Sequence, residues 1–247
     1  MRDAVLDVES TTLISGATEE VGAAIARLFA AGGAKVALND AAASPMLDDL
    51  ARELGGVAAP SGHSNHAHVT SMIEKLIETS GPIGTLICNV EQLSMSPFLE
   101  HSSDDWWAVV DANLTGVFYL IQAVLPSMRA LGAGRIVIVL SNSGVSGWAN
   151  ATAYAASHAG IIALIKSCGR ELAPEGIIVN GIALGVEANE RSIATSVGDI
   201  NPQLIPAGRL ALPEEIASGV AFLADRRMLT MVGTILQVNG GGARGRV

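Results

Sequence analysis

Short apolar runs along this chain alternate with stretches in which apolar residues return every third or fourth position. Val8 to Asp40 shows both habits: an apolar run, a Gly turn, then Val21, Ile25, Leu28 and Phe29 at helical spacing, with Gly32-Gly33 before AKVALND. That order predicts strand, helix, strand, and a right-handed crossover makes the two strands parallel. A second helix is expected over Ser44 to Leu54, with Pro45 in its first turn, and a short strand over Val57 to Ala59. The polar segment Pro60 to His68 reads as a solvated helix start, leading into a helix over Val69 to Thr79. Ile83 to Val90 is continuously apolar, as a strand buried on both sides requires.

Trp106 to Met128 predicts one long helix, too apolar to be covered on one face only. Arg135 to Ser141 is the next buried strand, Ala153 to Leu172 the next helix and Gly176 to Leu184 the sixth strand. Residues 185-211, with Pro202 and Pro206, are less regular and suggest a lid or substrate loop. A helix opening at Pro213 and a strand within Gly233 to Gly241 complete the alternation. The pattern predicts one α/β domain over residues 1-247: a doubly wound parallel sheet of about seven strands with helices on both faces.

Composition narrows the function classes. With 15 Lys and Arg against 24 Asp and Glu, the formal charge is -9, which argues against partners that need a basic patch, nucleic acid or an anionic membrane. Cys88 and Cys168 lie in apolar runs and are expected as buried free thiols. His63, His66 and His68 cluster without Cys, Asp or Glu among them, so a zinc site is set aside and no metal is expected. Neither a signal-peptide h-region nor an uninterrupted spanning run of 18 apolar residues is apparent, which implies a cytoplasmic chain.

The chemistry concentrates in Ser141 to His158. A Ser ends a strand, Tyr154 lies early in the following helix, and His158 stands one turn later on the same face. Together with SGATEEVG at Ser15 to Gly22, CNVE at Cys88 to Glu91, NLTG at Asn113 to Gly116 and the VNGG run, this ordered set resembles the short-chain dehydrogenase/reductase family over essentially the whole chain. The resemblance implies a Rossmann-like fold, an NAD-type cofactor and a hydroxyl or ketone substrate. It gives Tyr154 proton transfer, Ser141 the substrate oxygen and Asn113 support of a water relay. Gly16, Gly22, Asp40 and Asn89 take cofactor-binding positions.

Departures from the family pattern fall on the same function. Glu20 stands where the second glycine meets the pyrophosphate. Repulsion there is ~4 kcal/mol at 4 Å for an effective dielectric near 20, and a fraction of it would cost a decade of affinity. The alternative is that Glu20 swings outward from its helix. Asp40 reads either as the ribose acid or as an ordinary turn residue. Gly62 replaces an adenine-contacting Asp, Glu91 a Gly, and Leu184 the Pro bordering the nicotinamide. His158 replaces the Lys that activates the Tyr and holds the nicotinamide ribose; a neutral imidazole supplies no permanent charge, while a protonated one substitutes in part.

These losses imply a catalytically impaired subunit that binds no cofactor itself and pairs with a complete, NAD-binding paralogue in a dimer or tetramer. The paired surfaces would be helices 106-128 and 153-172. Family hetero-oligomers of this kind include dehydrogenases of β-hydroxyacyl-CoA thioesters. Two enzymatic alternatives stay open: a cofactor-independent lyase, isomerase or dehalogenase-like enzyme using Ser141 and Tyr154, and an active NAD-dependent oxidoreductase with divergent contacts.

Overall fold

The computed structural model describes residues 6–89, 91–185 and 205–242. Its strands are β1 (Thr11–Ser15), β2 (Lys35–Asn39), β3 (Val57–Ala58), β4 (Ile83–Cys88), β5 (Gly134–Ser141), β6 (Ile177–Leu184) and β7 (Ile235–Val238). They form one seven-stranded sheet in the order β3-β2-β1-β4-β5-β6-β7, and every neighbouring pair is parallel. This is the doubly wound, Rossmann-like arrangement. The chain reverses direction across the sheet between β1 and β4, which opens a crevice at their carboxyl ends.

All residues of β4, β5 and β6 are buried, because helices cover both faces and leave no side of these strands to water. One layer contains α1 (Glu20–Ala31), α2 (Pro45–Leu54) and α8 (Pro213–Ala224), whose apolar faces meet Ile14, Leu38 and Ile182. The other contains α3 (His66–Ser80), α5 (Gly116–Leu131) and α7 (Thr152–Leu172), packed on Leu13, Leu86 and Ile138, with the short α6 (Ser143–Ser146) between β5 and α7. Ser44, Asn65 and Ser102 cap α2, α3 and α4 (Ser103–Val110), each side-chain oxygen accepting a backbone N–H of the first turn at 3.0–3.2 Å.

Three expectations change. His63 is not solvated. It is buried, and its Nε2 donates to Asn39 Oδ1, while the Asn39 amide donates to the carbonyls of Ala59 at 2.7 Å and Ser61 at 3.2 Å. A strand-end Asn with three carbonyls around it needed an acceptor's partner, and the turn after β3 supplies the imidazole. Cys88 is fully buried, and that burial pushes its thiol pKa up, but Cys168 is only half-buried.

The expected single helix is a composite. A wide helical turn, Asp111–Thr115, interrupts it between α4 and α5. The stretch Ser103–Leu131, 29 residues long, is long and apolar enough to cross a membrane by length and composition, an 18-residue window within it having a mean hydropathy of 1.6. Its inner stripe, Val117, Leu120, Val124 and Met128, instead packs on the sheet core, and Trp107 and Phe118 remain exposed on the outer side. Residues 186–204 of the expected loop at 185-211 lie outside the described residues.

Leu120 is fully buried at the centre of this packing. Leu120→Ala is expected to lower stability by about 2–5 kcal/mol, read as a reduced urea midpoint at unchanged m-value.

Candidate functional site

The crevice is built first from two glycines. Gly16 has φ +59°, and a Cβ there would lie 1.7 Å from the Asn89 carbonyl oxygen. At Gly22 a Cβ would lie 1.9 Å from the Gly16 carbonyl oxygen. No other residue fits either position. The turn they make is laced to β4: Asn89 Nδ2 donates to the Gly16 carbonyl at 3.1 Å, and the Asn89 amide donates to Ser15 Oγ at 3.2 Å. Asp40, at the end of β2, accepts the Thr18 amide through Oδ2 at 3.3 Å. Gly62 faces open space, its nearest neighbour for a Cβ being the Ala41 carbonyl at 3.8 Å.

Glu20 is the first residue of α1, exposed, and lines a cleft on the outer side between α1, α2 and α8. The acid whose charge reaches the crevice is its neighbour Glu19, which raises the carboxyl pKa of Glu91. Helix phase explains the difference: one residue of α1 turns the side chain by about 100°, and sequence alone does not fix where the first turn begins.

At the carboxyl end of β5 the backbone amide of Ser141 donates to Nδ1 of His158 at 3.1 Å. That bond makes Nδ1 an acceptor and leaves the imidazole proton on Nε2, so the ring is neutral. Burial acts the same way and lowers the His158 pKa to about 4. Nε2 has no partner among the described residues, nor do the buried carboxamide of Asn142 and the hydroxyl of Ser143. Ser141 Oγ accepts the Ser143 amide at 3.1 Å, which leaves its own proton free to donate.

Tyr154 is 1 % exposed. Its ring lies 4.3 Å from that of His158, and its hydroxyl donates to Glu91 Oε1. Glu91 as a residue is exposed at the rim, yet its carboxyl reaches inward to this phenol. Desolvation raises the Glu91 pKa, the Tyr154 hydrogen bond opposes the rise, and Glu19 adds to it. Trp148, Leu93, Met95, Trp106 and Val109 close around Tyr154, with Trp148 edge-on at 6.0 Å. The pair can share a proton, but a carboxylate beside the phenol oxygen opposes a second negative charge there.

The wide turn carries Asn113 inward. Its Oδ1 accepts the Gln92 amide at 2.8 Å, and its Nδ2 donates to the Gln92 carbonyl at 2.9 Å and to Ser157 Oγ at 3.2 Å. Ser157 in turn donates to the Tyr154 carbonyl at 2.7 Å. Ser141, Asn113, Tyr154 and His158 therefore share one pocket with Glu91, and Gly16, Gly22, Asp40 and Asn89 border the crevice beside it. Gly62 and Glu20 stand apart from that pocket. Glu19, Gln92, Trp148 and Ser157 escaped the sequence reading. Of these only Ser157 carried a signal, three residues after Tyr154 and hence on its helix face.

His63 and His158 are both held at about 4, below the 6.5 of an ordinary imidazole, by burial. Both stay neutral in the folded chain as pH falls through 6.5, whereas the unfolded chain takes up protons. Stability is therefore complete above about pH 6.5, declines down to about pH 4 and levels below it, each ring withdrawing on the order of 3 kcal/mol. Urea midpoints measured across this window are expected to show that fall, and His158→Gln is expected to remove about half of it.

A family model described as enoyl-(acyl carrier protein) reductase matches residues 16–242. The 3-oxoacyl-(acyl-carrier-protein) reductase FabG of Vibrio cholerae is 34% identical over 234 residues, covering 93% of this chain and 95% of that protein. The cis-4-hydroxycyclohexanecarboxylate dehydrogenase of Sinomonas cyclohexanicum is 34% identical over 246 residues, covering 94% and 96%. The Escherichia coli FabG reductase is likewise 34% identical, over 93% and 95%. With its parallel sheet, its glycine turn, a family model matched over most of its length and relatives 34% identical over nearly all of both chains, this chain belongs to the short-chain dehydrogenase/reductase family.

Proposed function

We propose that this chain is a catalytically impaired subunit of a hetero-oligomeric, NAD-dependent dehydrogenase acting on a hydroxyl or ketone substrate, a β-hydroxyacyl-CoA thioester by preference. NAD and the hydride chemistry would reside in a complete paralogous subunit. The observation that carries this reading is the Ser141–His158 bond, which keeps a neutral imidazole where the family places a lysine ammonium. A neutral, buried ring neither holds a nicotinamide ribose by charge nor stabilises a tyrosinate.

Glu91 supports the same reading. Its carboxyl takes the Tyr154 proton donor that a substrate oxygen would need, and the apolar cover over Tyr154 leaves the phenol little access. The residues around Tyr154 thus do not fit the nicotinamide end of NAD, although the glycine turn and Asp40 would suit its adenosine end. The substrate class follows from the relatives, one named as a 3-oxoacyl reductase and another as a dehydrogenase of a cyclic hydroxy acid. The chain further resembles the inactive partner subunit of (hydroxy(phenyl)methyl)succinyl-CoA dehydrogenase of anaerobic toluene breakdown. The exposed Trp107 and Phe118 on the composite helix give such a partner an apolar face to cover.

A second reading rests on the Tyr154–Glu91 hydrogen bond. A phenol and a carboxyl of raised pKa form an acid–base pair, which would serve a lyase or isomerase without NAD.

Native mass spectrometry of the protein from its source, with NADH titration of the purified chain, tests the proposal. The expected result is a hetero-oligomer and no NADH binding by this chain alone. Recovery only as a homo-oligomer that binds NADH at micromolar affinity would overturn it. Glu91→Gly with His158→Lys is expected to raise NADH affinity by about tenfold or more, measured by fluorescence titration.

A further inference from the structure

Away from the pocket, α1, α2 and α8 wall a cleft of about 1070 Å3 on the outer face of their layer. From α1 come Ala24 and Leu28, one turn apart on a single stripe, with Ala23 beside them; Met46 and Leu50 line the cleft from α2, and Ala217 and Ser218 from α8. The floor is small, so another backbone can approach closely. Its apolar rim is uncovered, Met46 being 63% exposed and Leu28 37%, while Leu50 and Ala217 are buried beneath it.

Charge distinguishes the two ends of the cleft. Helices that join parallel strands start from the same edge of the sheet, so Glu20 and Glu214, in the first turns of α1 and α8, lie at one end. Neither makes an ion pair among the described residues. Two turns on, Arg27 is held by both oxygens of Glu53 at 2.8 Å and 3.1 Å, and Asp49 pairs with Arg52 outside the cleft. Among the described residues Arg27 is the only cation lining the cleft, and with it neutralised a net negative charge remains.

We propose that this cleft receives an amphipathic helix of a partner protein, with an Ala, Leu or Met stripe laid along α1 and a Lys or Arg in its last turn set against Glu20 and Glu214. The chemistry selects this occupant. Three helices side by side wall the cleft, its small floor and apolar rim match a helical stripe, and the carboxylates without an ion pair match a basic terminus. A second copy of this chain, at a formal charge of -9, is opposed by like charge. The cleft lies outside the Ser141–His158 pocket, so this proposal stands whether or not the pocket is catalytically silent.

The test uses the full chain and a fluorescent helical peptide carrying a Leu/Ala stripe and two Lys in its last turn, against the same peptide with Glu in their place. Anisotropy is expected to show the Lys peptide binding about tenfold or more tighter. Ala24→Trp and Ser218→Trp, which fill the cleft from opposite walls, are each expected to weaken it by about tenfold, with the thermal midpoint confirming that each variant folds. Glu20→Gln with Glu214→Gln is expected to bring the two peptides to about equal affinity. Equal binding of both peptides by the unaltered chain, no binding of either, or affinity unchanged in both Trp variants overturns the proposal. So does a self-associating chain that becomes monomeric in Ala24→Trp by sedimentation, which would make a second copy the occupant.

Discussion

The amide hydrogen of Ser141 points at Nδ1 of His158 across 3.1 Å, and the proton inventory of the pocket depends on that contact. A strand-end amide is an obligatory donor that burial would otherwise leave unpaid. By accepting it, His158 completes the backbone of β5 and gives up the nitrogen on which it would take a second proton. The family's lysine has no lone pair to offer when charged, so the exchange of residue types changes a charge carrier into a structural acceptor. With the ring neutral, His158 brings no positive charge to the phenol, and the Glu91 carboxyl meets it as a hydrogen-bond acceptor.

The glycine turn makes a related point about signatures. Gly16 and Gly22 are needed because a Cβ at either would overlap a carbonyl oxygen of the chain itself, whatever lies in the crevice. Their survival therefore reports the close approach of β1, β4 and α1, and carries little information about a dinucleotide. Glu19 and Glu91 are different, since no packing requirement calls for an acid at either position, and the charge of Glu19 helps to raise the Glu91 carboxyl pKa.

Much of the sheet was legible because buried parallel strands leave continuous apolar runs, as in β4, β5 and β6, and because Ser44 and Asn65 announce their helices through cap chemistry. The Ser141, Tyr154 and His158 juxtaposition was legible from one helical turn and one strand end. Side-chain direction at element boundaries was not. Glu20 was left between the crevice and the outward side of its helix, and it lines the outer cleft; His63 was expected in water and is buried against Asn39. The first depends on a single residue of helix phase, and the second on a turn ahead of α3, where apolar periodicity sets no direction. The cover of Trp148, Leu93 and Met95 over Tyr154 comes from loops, where no period exists to be read.

The wide turn at Asp111–Thr115 has a consequence for how this segment tolerates change. It holds one more residue per turn than an ordinary helix, so the face of α4 that serves the pocket through Val109 and the face of α5 that serves the sheet through Val117 and Leu120 are set out of phase on purpose. Removing one residue there would close the wide turn to an ordinary helical one, so Leu120 and Val124 keep their place on the sheet while the inward set of Asn113 is lost. A residue gained finds no such slack and would turn the sixteen residues of α5 by about 100° against the sheet. In genetic terms, this stretch is open to a lost codon at the expense of the pocket and closed to a gained one.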